Sequence, residues 1–541
     1  MTPDQTPGDS NNRLRIAMTL SGAVSLGAFE GGALAALLVG LQELGDGDRP
    51  VVIDVMSGAS AGSMTALLSA WILLQGADPV ALMSEAWVEG PAIDSLRSHD
   101  TSAPLSGERL DELGAHLFRT VPQPPAPRQT ESIRVSMALA ALRGFGYHLP
   151  SLERDTPIEA TTYLDWHEVT FAAGDPPTTF TEPPDASPLK FSLASGANAL
   201  GFPPVVLDRS ADRDQYLENG VTNFPDSGHL WYTDGGTIDN EPLGRTIGLA
   251  NEADQALGHE AGGRRLHLLI HPHPTAPPSD AAWSDPGNRP TWTHTLTRAL
   301  HVGMTQSLYD DLHQMEKTNS RLKWRDELRS IMNRFIEGLP GEASGALQEE
   351  LQAEWSRQQS DQAEIRSMKL TGQKVTADAH PPTDQGGGGA EPEASAEELF
   401  EQLLDNVAGL VDKEPIRVEV ISPLIVAAPG QPIEDLLAGE FLAHFGGFID
   451  EDLRWSDFAL GYDCMVKWME RGWTDHGVDA DTTKKINDGA ARGRRAEWTR
   501  PGEGTKSIGK LGWHDKLSAA RLAVHMAHVV EHDLRHPDTQ D

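Results

Sequence analysis

Three short segments carry residue types that together could cleave an ester. Ser60 is centred in Gly58-Ala59-Ser60-Ala61-Gly62, directly after the apolar run Val51 to Met56 and directly before the helix-forming run Ser63 to Leu74. A strand, a sharp turn and a helix expose such a serine as a nucleophile, and Gly58 and Gly62 remove the Cβ clashes of so tight a turn. A serine hydroxyl is a poor nucleophile until a base takes its proton. Thr233-Asp234-Gly235-Gly236 offers that base, a carboxylate at the end of the strand-like run Leu230 to Thr233, with Gly235 and Gly236 giving its backbone freedom to approach another group. The third requirement is a set of N–H donors for the oxyanion that forms on attack. Gly22, Ala23 and Val24 follow the apolar run Leu14 to Leu20 and open a helix, so their amides are candidates, as is that of Ala61 at the head of the helix after the elbow.

Strand-like and helical segments alternate around these residues. Strand Leu14 to Leu20, a helix over Gly27 to Gly45, strand Val51 to Met56, the elbow and a second helix predict an α/β core with a largely parallel sheet covered on both faces. Residues 77 to 188, with the Pro-rich stretch Pro122 to Pro127 and the segments Gly174 to Pro177 and Thr181 to Pro188, read as an insertion or lid. The sheet pattern resumes at Leu189 to Ala194, Leu230 to Thr233 and Arg265 to His271. A catalytic core therefore spans 13–275, followed by a charged helical extension over 286–375 and a flexible linker over 376–397 that holds Gly386-Gly387-Gly388-Gly389. Residues 398–541 are mostly helical with one strand, Ile416 to Ile421, which either returns to the main sheet or begins a second unit.

Composition bounds the function. The 541 residues include 80 acidic and 44 basic side chains, a net charge of −36 that repels polyanions and argues against nucleic-acid binding. The single cysteine, Cys464, excludes an internal disulfide framework and a Cys-based zinc site, and reads as a buried apolar residue. The polar, acidic start of the chain lacks a basic secretory n-region, and the apolar helix Ala28 to Leu41, with Glu30 inside it, reads as too short to span a bilayer. A cytoplasmic location is the expectation.

Taken together, the Gly22 loop, the elbow, Ala194-Ser195-Gly196-Ala197 with Phe202-Pro203-Pro204-Val205, and Asp234-Gly235-Gly236 with Asn240 and Pro242 resemble the patatin-like phospholipase family. The likeness covers residues 13 to about 245; Ala438-Gly439-Glu440 through Gly446-Gly447-Phe448 and Phe458 to Gly461 resemble the C-terminal part of some bacterial members. The resemblance implies a three-layer α/β/α patatin-like fold with a large helical C-terminal elaboration. It also implies a lipid or other acyl-ester substrate, peripheral membrane contact, and no cofactor or metal. Carried over by position, Ser60 is the nucleophile, Asp234 the general base, and the Gly22, Ala23 and Val24 amides the oxyanion hole. The usual family loop has three consecutive glycines and, two positions on, Arg or Lys. Gly22, Ala23, Val24 and Leu26 stand there, so the backbone angles are more restricted and an anion contact is absent.

Two other readings stay open at this point. His267, His271 and His273 follow Asp234 in the order of a Ser-Asp-His triad, although the elbow after only the second strand argues against that fold. The degenerate glycine loop also suits a lipid-binding scaffold without turnover. His271-Pro272-His273 alone does not make a metal site, lacking a third ligand at a telling spacing. Arg492, Arg494, Arg495 and Arg500 with Trp498 could touch head groups, but read better as a solvated loop. Leu517, Ala520, Val524 and Ala527 predict the packing face of a last helix, Leu511 to Asp533. Oligomeric state leaves no signature in the sequence.

Overall fold

The computed structural model describes residues 13–45, 50–98, 103–119, 128–149, 158–257, 264–273, 291–367, 395–408, 410, 415–440, 444–499 and 513–535. In chain order the first elements are β1 (Leu14–Leu20), α1 (Gly27–Gln42), β2 (Val51–Gly58), α2 (Ala61–Gln75), α3 (Pro79–Ser84), α4 (Ile93–Leu96) and α5 (Glu108–Leu117). Strands β3 (Ser132–Leu149) and β4 (Ile158–Ala172) come next, then α6 (Thr178–Thr181), α7 (Pro188–Ser195), β5 (Val205–Asp208), α8 (Arg213–Glu218), β6 (His229–Asp234), α9 (Leu243–Leu257) and β7 (Arg265–Ile270). The remainder holds α10 (Trp292–Glu337), α11 (Gly341–Ser367), α12 (Ala396–Ala408), β8 (Val418–Ile421), α13 (Glu451–Asp475), α14 (Ala480–Gly493) and α15 (Trp513–Arg535).

The eight strands form one mixed sheet in the order β5-β6-β3-β2-β1-β7-β8, with β4 paired to β3. Pairings through β3-β2-β1-β7-β8 are parallel, while β3-β4, β3-β6 and β5-β6 are antiparallel. Helices cover both faces. Ile16, Met18 and Leu20 of β1 join α1, α2 and α13 in the main core, whereas Ala17 and Val55 pack on Leu249, Ala250 and Ala253 of α9. A register shift between Ile16 and Ala17 lets β2 accommodate one extra residue there.

The segment between residues 77 and 188 is not an insertion beside the sheet. It contains β3, whose Arg134–Met137 stretch pairs with Val55–Gly58 and whose Leu139–Ala141 stretch pairs with β6. Beyond Ile133 and Val135 its sequence, with three Ala and three Leu, lacks the β-branched signature of a strand; tertiary pairing on both edges overrides that propensity. Leu189 to Ala194, expected as a strand, lies in helix α7: Pro188 occupies its first turn, and Ser187 caps it by accepting from the Lys190 amide at 3.2 Å. The Pro122 to Pro127 stretch lies outside the described residues, as does most of the expected linker over 376–397.

The C-terminal half shares the core. Strand β8 pairs in parallel with β7, and Phe458, Tyr462, Cys464 and Trp473 of α13 belong to the same buried cluster as β1. Helices α1 and α13 cross closely because glycine sits at each contact: a Cβ on Gly32 would overlap the Phe458 carbonyl, and one on Gly461 the Phe29 carbonyl. The stretch Val24–Gln42 is long and apolar enough to cross a membrane, longer than the sequence suggested, yet 89 % of it is buried inside the protein. It is apolar all round because protein surrounds it.

Candidate functional site

Strand β3 brings the two halves of the site together. Gly58 at the end of β2 is the register partner of Met137, and Asp234 at the end of β6 is the partner of Leu139, two residues further along the same strand. The chain then turns sharply at Ser60, with φ 51° and ψ −123°, and enters α2. A non-glycine residue there stores on the order of 1–3 kcal/mol of strain, held by the surrounding structure. Holding it are Ser195 and Ser63. The Ser60 amide donates to the Ser195 hydroxyl at 2.9 Å, and Ser195 in turn donates to the Ala138 carbonyl at 2.7 Å. Ser63 donates to the Gly58 carbonyl at 2.8 Å. Gly62 has no room for a side chain, because a Cβ would overlap the Leu20 carbonyl at the end of β1.

The Ser60 hydroxyl donates to Asp234 Oδ2 at 3.0 Å. Asn198 Nδ2 donates to the same oxygen at 3.1 Å, and the Gly236 amide donates to Oδ1 at 2.8 Å. Burial raises the Asp234 pKa to about 6, against the lowering effect of these three hydrogen bonds. A carboxylate so poised is ionised near neutrality and still basic enough to take a proton. The helix dipole of α2 adds positive potential at the Ser60 end.

The loop after β1 lies against this pair, and it is clasped by Asn240. Gly22 donates its amide to the Asn240 carbonyl at 2.8 Å, and Asn240 Nδ2 donates back to the Gly22 carbonyl at 3.2 Å. The Gly22 N–H is therefore spent on structure, which corrects its expected place among the oxyanion donors. A Cβ at Gly22 would overlap the Asn240 side chain, so the clasp requires glycine. Val24 adopts φ 50°, the left-handed region that favours glycine, so this valine reproduces the backbone a glycine would adopt at a cost in strain. The amides of Ala23, Val24 and Ala61 make no hydrogen bond to the described residues. On the far side, the Ser25 amide donates to the His444 carbonyl at 3.1 Å, and the Gly447 amide donates to the Ser25 hydroxyl at 3.1 Å. The C-terminal half thus braces the loop.

A cavity opens from Ser60 along α2. Ala61, Met64 and Leu68 form one wall, Leu113, Leu117 and Phe118 another, and Leu189, Leu193, Val24 and Phe448 close it. The wall at Phe118 is rigid, since Phe118 meets Trp71 edge-on at 5.9 Å and stacks on Phe180 at 5.3 Å. From Ser60 to Leu68 is eight helical steps, about 12 Å, the length of roughly ten acyl carbons.

The histidines are engaged elsewhere. His267 is buried within β7; His271 Nε2 lies 3.6 Å from Glu241, and His273 Nε2 lies 3.2 Å from Glu440. Among the described residues, none hydrogen-bonds Ser60 or Asp234. Burial pushes His271 down to about 3 and Glu241 up to about 8, so both are neutral near pH 7. Among the described residues, no group of three His, Cys, Asp or Glu is arranged to hold a metal ion. Arg492 pairs with Glu43 and Arg494 with Asp463, the latter lying over Trp498 at 4.9 Å, so these cations serve the protein surface; Arg500 lies outside the described residues. The last helix packs through Ala519 and Leu522, with Val524 exposed, a different face from the expected one; the Ala527 side chain lies outside the described set.

Sequence reasoning placed Ser195 and Asn240 in the motifs of the resemblance but gave neither a role, and it passed over Asn198. Ser195 and Asn198 stood in plain view in the run Ser195-Gly196-Ala197-Asn198, but reading α7 as a strand hid that its C-terminal end faces the elbow. Compared with protein-family models and with curated proteins, the chain matches none.

Proposed function

We propose that this protein is a serine acyl hydrolase of the patatin-like phospholipase kind, cleaving carboxylic esters of lipids through a Ser60–Asp234 dyad. The observation that carries the reading is the 3.0 Å hydrogen bond to a buried aspartate from a strained elbow serine that lines an apolar cavity. In this reading Ser60 Oγ attacks the ester carbonyl carbon as its proton passes to Asp234 Oδ2. The Ala61 amide and the loop amides of Ala23 and Val24 receive the oxyanion. Collapse expels the alcohol, which leaves with the proton from Asp234 and an acyl-Ser60 behind. Asp234 then takes a proton from water, hydroxide attacks the acyl carbon, and the acid departs as Ser60 recovers its proton. The acyl chain lies in the α2 cavity, which suits a phospholipase A, lysophospholipase or medium-chain esterase.

The test combines labelling and turnover. A fluorophosphonate probe should label the wild type and not Ser60→Ala, and p-nitrophenyl esters of increasing chain length should be hydrolysed only by the wild type. Labelling without turnover of any ester or phospholipid would favour a lipid-binding scaffold. Loss of activity in a folded His271→Ala variant would favour a histidine base.

A further inference from the structure

Helix α10 carries an apolar stripe that its own fold leaves uncovered. Trp324, Leu328, Ile331 and Phe335 are 60, 48, 56 and 59 % exposed, and the spacings of 4, 3 and 4 place them within an arc of about 60°. These spacings are those of alternating seam positions in a coiled coil. Leu322 and Ile336 are buried on another side of the helix, the side whose Arg325 and Arg329 pair with Asp405 and Glu401 of α12. The helix therefore has one apolar face packed internally and a second facing solvent. The exposed strip amounts to on the order of 400 Å², the upper range for a monomer surface and about half of what each partner of a stable interface buries.

We infer that this stripe is a self-association surface, on which α10 of a second copy of this chain packs antiparallel. Two features identify that occupant. The 4-3-4 spacing is palindromic, so a two-fold axis between Leu328 and Ile331 sets Trp324 against Phe335 of the second copy and Leu328 against its Ile331. The flanks then decide direction. One flank, with Arg325 and Met332, turns toward α12, while the open flank carries Glu327 and Arg334, two exposed side chains of opposite charge. In an antiparallel pair the open flanks meet each other, and Glu327 of each copy faces Arg334 of the other. In a parallel pair the open flank would meet the flank that α12 already covers. An isologous two-fold contact of this kind closes on itself and stops at a dimer.

The experiment is analytical ultracentrifugation of the full chain over a wide concentration range. A concentration-dependent dimer that Ile331→Glu converts to monomer is expected. Glu327→Arg should weaken the dimer roughly tenfold by replacing two ion pairs with repulsions, and the double variant Glu327→Arg with Arg334→Glu should restore it. Direction is tested by disulfide trapping, for which the buried Cys464 leaves a clean background. A mixture of Leu328→Cys and Ile331→Cys copies should cross-link, and neither variant alone should do so efficiently. A monomeric wild type, a dimer indifferent to Ile331→Glu, or self-cross-linking of Leu328→Cys alone would each overturn the proposal. None of these outcomes depends on the hydrolase reading, because none of the described residues of this helix lines the cavity.

Discussion

Ser60 and Asp234 are 174 residues apart in sequence and 3.0 Å apart in space, and β3 is what joins them. The elbow leaves β2 beside Met137, and the aspartate ends β6 beside Leu139. One strand thus sets the spacing of the serine and the aspartate through backbone hydrogen bonds, the most rigid ruler available in a sheet. Ser195, bonded both to the elbow amide and to the Ala138 carbonyl, ties the turn to the same strand.

The pH response follows from the burial of Asp234. With its pKa pushed up to about 6, the base is available only above that value, so kcat/KM for a neutral ester should fall about tenfold per pH unit below 6 and level off above it. Stability has the opposite sign. The folded protein holds this proton more tightly than an unfolded aspartate near 3.8, so the stabilisation is complete below that value and lost as pH rises through about 6. Asp234→Asn should therefore melt a few degrees above the wild type at pH 8, with the gap closing toward pH 4, while losing activity. A variant that melts lower at pH 8 contradicts a buried-charge cost.

Val24 reverses an ordinary rule. At φ 50° a glycine is less strained than any residue with a Cβ, so Val24→Gly should be more stable than Val24→Ala by about 1 kcal/mol, measured by chemical denaturation. Equal stabilities, or the usual order favouring alanine, would show that the loop relaxes out of the left-handed region.

Asn240 is a positioning residue for the loop. Asn240→Ala removes the donor to the Gly22 carbonyl and to Glu241, and should lower kcat by on the order of 10² with little change in KM. Fluorophosphonate labelling should slow in parallel, since it uses the same oxyanion donors. A change confined to KM would place the effect on substrate binding instead.

Cavity depth should set chain length. Each buried methylene contributes about 0.8 kcal/mol, so kcat/KM should rise about fourfold per carbon until the chain passes the α2 wall at Leu68, near ten carbons, and then level off. Leu68→Trp fills the inner wall and should shift the break to shorter chains while leaving short esters unaffected. A chain-length series measured on both proteins checks this, and an unmoved break would mean that the acyl chain lies elsewhere.

The local parts of the site were legible in the sequence because they depend on local physics. The glycines around Ser60 and Asp234, the strand before each and the helix after Ser60 are written in contiguous residues, and α1 and α2 announce themselves by long, mainly apolar runs. Other features depended on partners distant in the chain. The strand identity of β3 arises from pairing with β2, β4 and β6, which an Ala-rich sequence does not signal. Helix α7 was hidden by a short apolar run compatible with either period. The use of the Gly22 amide by Asn240, and of Ser195 by the elbow, could not be read from either segment alone. Residue types and their local order were enough to name the groups capable of the chemistry. Which of them meet followed from the folded chain alone, because hydrogen bonds and burial are made between segments whose separation along the chain carries no record of their distance in space.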